Sequence, residues 1–200
     1  MPKIVDHAQR RDAIAQIAAQ LIAEGGLEAA TVREIARVSG FSKGIVEHYF
    51  DDKGELINAA LERANQAYFA RVAQMTEGKT GLAALRARLA ATVPSNATLR
   101  SEWKIRLIFW SVAAVDPVLQ KQQAKRSREA IAHFAADLQD ARIQGEVASS
   151  GDLEPIARQV LFAATGLSCA ILHNPRTYTK AVVDAEIERI VSMSTMVVGG

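Results

Sequence analysis

Cysteine is nearly missing from this 200-residue chain. The single Cys169 has no partner for an intramolecular disulfide, and no second cysteine exists to build a CxxC or zinc-knuckle ligand set. A disulfide-stapled scaffold is excluded, and a reducing, cytoplasmic setting is expected. Long apolar runs are missing too. The opening residues MPKIVDHAQRRD are interrupted by Asp6, Arg10, Arg11 and Asp12, which leaves no apolar signal core, and no later stretch approaches the roughly 18 uncharged apolar residues of a membrane span. Internal repeats and low-complexity tracts are absent.

A strong charge of either sign is also lacking, since the formal net charge is only +2. Residues 1–55 hold seven Lys or Arg against nine Asp or Glu, a local balance of −2. Bulk charge therefore gives no support to nucleic-acid binding, and any such case rests on where individual charges sit. What remains is an ordinary folded composition, 49% hydrophobic and 23% charged. The length suffices for one sizeable core, or for a small domain of about 50 residues attached to a larger one.

Apolar residues recur at three- and four-residue steps nearly everywhere, so the fold class expected is all-α. Ile14, Ile17, Ala18, Leu21 and Ile22 form the stripe of a first helix, which Gly25-Gly26 ends. Thr31-Val-Arg-Glu34 has the form of a capping box, with the threonine hydroxyl taking a backbone N–H and Glu34 reaching back to the cap's own amide. The second helix then carries Ile35 and Ala36 inward and stops at Ser39-Gly40. Ser42 caps a third helix with Ile45, Val46 and Phe50 as its contacts. Two short helices about a glycine turn make a helix-turn-helix.

Asp51-Asp52-Lys-Gly-Glu55 opens a longer helix reaching about Met75, and Gly78 to Gly81 breaks the pattern. Leu82, Leu85 and Leu89 follow, up to Pro94-Ser-Asn. An aromatic helix is expected from Glu102 to about Val115. Asp116-Pro117 starts another with the stripe Ile131, Phe134, Leu138 and Ala141, and Gly145 and Ser149-Ser-Gly-Asp152 form a turn. The last two helices run from Leu153 to Leu172 and onward from Asn174-Pro175, the final one with Ile187, Ile190, Val191 and Ser194 on a face.

The run GFSKGIVEHYFDDKGEL, together with Thr31, Ile35-Ala36 and Ser39-Gly40, resembles the DNA-binding domain of TetR-family transcriptional regulators. Residues from about 80 to 195, including WKIRLIFW and the Asp116-Pro117 helix start, resemble the C-terminal domain of the choline-responsive BetI subgroup. The resemblance implies an N-terminal three-helix domain over residues 1–55 and a ligand-binding and dimerisation domain over 56–200, about nine helices in all. It implies a ligand-responsive, sequence-specific repressor that is released from a palindromic operator by a small-molecule inducer.

By the same resemblance Thr31, Ser42, His48, Tyr49 and Lys53 approach phosphates, and Arg33, Lys43, Gly44 and Glu47 aim at base edges. The first set fixes register and the second reads sequence. Arg33 and Lys43 lead among the readers, because a basic side chain facing guanine supplies about 1–3 kcal/mol of discrimination. Each also has a plainer reading as a solvated charge, as does His48. Glu47 stands where the family often has tyrosine. Phosphates repel its carboxylate, which can accept from cytosine N4, pair with Lys43 one turn away, or simply face solvent.

Trp103, Arg106, Phe109 and Trp110 are the candidate ligand residues. The aromatics are either a cage for a quaternary ammonium or part of the core, and Arg106 is an alternative anion site. Leu161, Gly166, Leu167, Ile171, Ile187, Ile190 and Val191 are the residues the resemblance places at a homodimer interface. His133 and His173 lack the spacing of paired metal ligands, and neither metal nor cofactor is expected. With no phosphate loop and no activated serine or cysteine motif, an enzyme is the weaker reading. The remaining alternative is a non-enzymatic helical dimer with a degenerate DNA-binding head.

Overall fold

The computed structural model describes residues 7–147 and 151–196. Among them are nine α-helices, one 3-10 turn and no strand. The helices are α1 His7–Gly25, α2 Val32–Ser39, α3 Lys43–Tyr49, α4 Lys53–Thr76, α5 Gly81–Thr92, α6 Ala97–Ala113, α7 Pro117–Ile143, α8 Glu154–His173 and α9 Lys180–Met196. The all-α class follows as expected. The turn expected at Ser149-Ser150 and the end of the last helix beyond Met196 lie outside the described residues. Two compact units are present: residues 1–67 with 101–115, and residues 68–100 with 116–200. Their first division falls inside α4, between Ala67 and Tyr68.

In the first unit, α1 packs on α2 and on the 3-10 turn Leu27–Ala29, and α2 packs on α3. Ile14, Ala18, Ile22, Ile35, Val46, Phe50 and Leu61 are buried. Ile35 and Val46 are the inward residues of helices only eight and seven residues long. Helices this short do not hold in water by propensity, so burial and caps hold them. Both caps form: the Glu34 amide donates to Thr31 Oγ1 at 3.1 Å, and the Ile45 amide donates to Ser42 Oγ at 3.3 Å. Gly40 takes a left-handed φ of +71°, which lets the chain reverse between α2 and α3. The Ser39 hydroxyl accepts from the Phe41 amide and steadies that turn.

The reciprocal half of the expected box at Thr31 does not form. The Thr31 amide donates to the Ala29 carbonyl at 3.0 Å, and the Glu34 carboxylate turns to Arg37, with Nε 3.0 Å from Oε2. A charge-assisted bond to a guanidinium outcompetes a neutral amide that already has a partner. That hydrogen bond holds the Glu34 carboxyl below its usual range and raises Arg37. A closer approach to a box appears at α4, where the Glu55 amide donates to Asp52 Oδ1 at 2.7 Å and the Glu55 carboxylate accepts the amide of Asp51, one residue before the cap, at 3.1 Å.

The aromatic helix starts earlier than expected. Asn96, read as part of a break, caps α6 by accepting the Leu99 amide at 3.0 Å, so the helix begins at Ala97 rather than Glu102.

The second unit is built from α5, α7, α8 and α9, with Leu85, Leu89, Phe134, Leu138, Ile156, Val160 and Ile187 among its core. Asp116 caps α7 as expected, its Oδ1 accepting the amides of Val118 and Leu119. Gly81 has φ +60°, and a Cβ there would lie 2.3 Å from Glu146 Oε2, the atom that accepts the Leu82 amide. A carboxylate thus caps α5 from 64 residues away, in space only glycine leaves open. The helix α8 is long and apolar enough to cross a membrane by length and composition alone. It sets Ile156, Ala157, Val160, Ala164 and Ile171 into this unit's core. Inside the same core Arg88 and Asp137 form a two-pronged ion pair, at 2.6 and 3.0 Å.

Candidate functional site

Five of the nine candidate DNA-binding residues are exposed on α3 or just before it, four of them bearing side chains: Ser42, Lys43, Glu47 and His48. Val46 is fully buried, and Ile45 is half-buried, so the helix is anchored along one side and presents the other. Gly44 is also exposed, and a Cβ there would meet nothing within 4 Å. Internal packing therefore gives no reason for glycine at this position, while a backbone approached closely from outside would. Thr31 and Arg33 are exposed at the start of α2, and Arg33 has no ion-pair partner among the described residues.

Three side chains in this region have partners that bear on their roles. Lys43 Nζ lies 3.1 Å from Glu47 Oε1, one turn along α3. Of the readings open for Glu47, the pair with Lys43 is the one present in the free protein. Both groups are largely exposed, so the pair is weak and gives way readily to a stronger partner. Lys53 Nζ lies 3.0 Å from Glu28 Oε1 of the 3-10 turn, and a phosphate would compete with that carboxylate. Tyr49 is half-buried, and its hydroxyl lies 2.8 Å from His7 Nδ1 in the first turn of α1. Neither His7 nor Glu28 was marked by any motif. Both reach the site across long sequence separations, and no spacing rule records that.

In the first unit, α6 carries the candidate ligand residues. Phe109 is fully buried and Trp103 is 3% exposed, whereas Arg106 and Trp110 are partly accessible. The two indoles meet edge to face at 5.8 Å. The Arg106 guanidinium sits over the Trp103 ring, 4.8 Å from its centroid. The chain's own cation thus occupies a face of Trp103 that a cationic ligand would use. In the second unit a surface groove of about 600 Å³ lies between α7 and the start of α8, lined by Arg128, Ile131, Ala135, Gln139, Arg142 and Leu153 among others. None of the four candidate ligand residues lines it.

The seven candidate dimer residues divide. Ile171, Ile187, Ile190 and Val191 are buried in the core of their own unit, and Leu161 and Leu167 pack partly against it. These four side chains have little surface left uncovered by their own unit. Gly166 is exposed, and close by on α8 Phe162 is 64% exposed, as is Met193 of α9 at 59%.

Residues 14–60 match the family model described as bacterial regulatory proteins, tetR family, and residues 82–193 match the BetI-type transcriptional repressor C-terminal model. The chain belongs to the TetR family. This TetR-family regulator is 30% identical over 144 residues to the HTH-type transcriptional regulator BetI of Burkholderia thailandensis, a match that covers 68% of this chain and 71% of the relative. It is 29% identical over 155 residues to BetI of Burkholderia lata, covering 76% and 80%. Its fold is shared with a transcriptional regulator from Rhodococcus sp. RHA1 (TM-score 0.80, 24% identity, 92% and 94% of the two chains). It is shared also with a choline-bound regulator from Saccharomonospora viridis (TM-score 0.78, 21% identity, 94% and 96%). The helix-turn-helix of this TetR-family regulator, α2 and α3, lies wholly within the first match. His7 lies outside it.

Proposed function

We propose that this TetR-family regulator is a homodimeric, sequence-specific repressor that leaves a palindromic operator when a small molecule binds its helical body. The observation that carries the reading is the face of α3. Lys43, Gly44, Glu47 and His48 point outward from a helix pinned by Val46, and a rigid short helix presenting polar side chains is what entry into a major groove requires. Arg33 and Lys43 read bases, and Thr31, Ser42, Tyr49 and Lys53 hold phosphates. Two copies related by a two-fold axis place two such helices on half-sites one turn apart. The exposed Phe162 and Gly166 of α8 and Met193 of α9 support a dimer face on these helices, with Leu161 and Leu167 at its edge. Such a regulator works in the cytoplasm, with DNA and a small molecule as its partners.

Footprinting on the DNA flanking its own gene tests the reading. A protected, two-fold symmetric site is expected. Its affinity should fall with salt at a logarithmic slope of about −0.9 per phosphate neutralised. If no site is protected and the protein ignores duplex DNA at low salt, the degenerate-head alternative replaces this one.

For the effector, the choline-bound neighbour and the α6 aromatics support a quaternary ammonium, whereas Arg106 over Trp103 opposes one. A cationic ligand has to displace the guanidinium, and that stacking contributes about 0.5–2 kcal/mol. Arg106→Met is therefore expected to raise affinity for tetramethylammonium about threefold to thirtyfold, read by tryptophan fluorescence. Equal affinity in both proteins would mean that the Trp103 face is not the ligand's seat.

A further inference from the structure

The contact that reaches furthest within the candidate DNA interface joins Tyr49 to a residue outside the helix-turn-helix. Tyr49 Oη and His7 Nδ1 are 2.8 Å apart, across 42 residues of sequence. The His7 and Tyr49 rings lie 5.9 Å apart, His48 and Tyr49 5.2 Å, and His7 and His48 6.4 Å. Three rings, two of them imidazoles, therefore stand together on the face proposed to meet phosphates.

A phenol carries a single hydrogen, and that decides what Tyr49 can do. When His7 is neutral with its lone pair on Nδ1, the tyrosine donates its hydrogen to the imidazole. The phenol then shows only lone pairs outward, and a phosphate oxygen is repelled by them. When His7 is protonated, both ring nitrogens bear hydrogens and Nδ1 donates to Oη. The phenolic hydrogen is released to turn toward a phosphate, and a positive charge appears beside it.

We infer that His7 is a positioning residue of the DNA interface: its protonation reverses the His7–Tyr49 hydrogen bond and makes Tyr49 a phosphate donor. This rests on the DNA-binding reading above. Reciprocity then requires that DNA binding draws a proton onto His7. Among the described residues, the titratable and charged groups on the elements that carry the pair include Arg10 and Arg11 on α1, the latter stacked on Phe50 at 4.7 Å, and Lys43, Glu47 and His48 on α3, with Asp51 and Asp52 just after it. Of these side-chain types only histidine ordinarily changes charge between pH 6 and 8, and the cluster holds two, so the test has to tell His7 from His48.

A double-mutant cycle separates the two histidines. The probe is a fluorescent random-sequence duplex of about 30 base pairs at constant low salt, because a phosphate contact does not depend on sequence. Wild type is expected to bind roughly tenfold tighter at pH 6 than at pH 8, the effect of one added charge and one charge-assisted contact. Tyr49→Phe should cost less than about twofold at pH 8, where the hydroxyl is engaged, and about fivefold or more at pH 6. In a His7→Gln background, the cost of Tyr49→Phe should be the same at both pH values. His7 is exposed in the first turn of α1, so its replacement leaves the helix packing intact.

A Tyr49→Phe cost that does not change with pH in the wild-type background overturns the proposal. So does a pH-dependent cost that survives His7→Gln, which would assign it to His48. Failure of the wild-type protein to bind the duplex at any pH is a different result, because it removes the DNA-binding reading itself.

Discussion

Alanine at Lys43 is expected to weaken operator binding by about 1–3 kcal/mol while changing affinity for a scrambled duplex much less. The argument is positional. Lys43 is the first residue of α3, exposed, and among the described residues its ion-pair partner is the exposed Glu47. That partner repays little for leaving water, so the ammonium can exchange it for a guanine edge. Arg33→Ala should behave alike from the first turn of α2. Glu47→Gln completes the test, since it removes the repulsion of phosphates and frees Lys43. Tighter binding to most sequences is expected from that change. Weaker binding confined to operators with a cytosine at one position would instead mean that the carboxylate accepts from a base. Gel shifts with the footprinted site and its scrambled control measure all three variants. Were Lys43→Ala to weaken both duplexes equally, the lysine would hold phosphate and the specificity assignment would fall.

Asp137→Ala is expected to lower the free energy of unfolding by about 3–5 kcal/mol, measured by chemical denaturation. Arg88 and Asp137 side chains are 13% and 7% exposed and meet through two bonds. Burial by itself would pull the Arg88 guanidinium down, but the Asp137 carboxylate outweighs that, and the group ends raised. Alanine at 137 removes the compensation and leaves a charge in the core between α5 and α7. The double replacement Arg88→Met with Asp137→Leu removes both charges and should recover most of the loss, because it is the lone buried ion that is costly. A loss under about 1 kcal/mol for Asp137→Ala would mean that the guanidinium reaches water without its partner.

Much of this regulator was legible in its sequence because many of its determinants are short-range. The caps at Thr31, Ser42 and Asp116 each bind an amide two or three residues on, so residue type and spacing suffice to find them. Periodicity likewise marked Ile35, Val46, Phe134 and Leu138 as inward residues, and all are buried. Where two local partners compete, spacing alone misleads. Glu34 had the position for a capping box, and Arg37 took it instead. Asn96 read as a break and proved to be a cap, because breaking and capping use the same residue types.

What the sequence determined by itself is the helical class, the helix-turn-helix and which of its residues are candidates for contact with DNA, since each depends on neighbours within a turn or two. Tertiary structure decided which partners those residues meet. Periodicity shows that Ile171, Ile187, Ile190 and Val191 leave water but not whose atoms cover them, and the covering surface is their own chain's core. The same holds for Lys53 with Glu28, Arg88 with Asp137 and Tyr49 with His7, separated by 25, 49 and 42 residues. Contacts at that range depend on how helices pack, and packing is a property of surfaces that form only once the helices have come together.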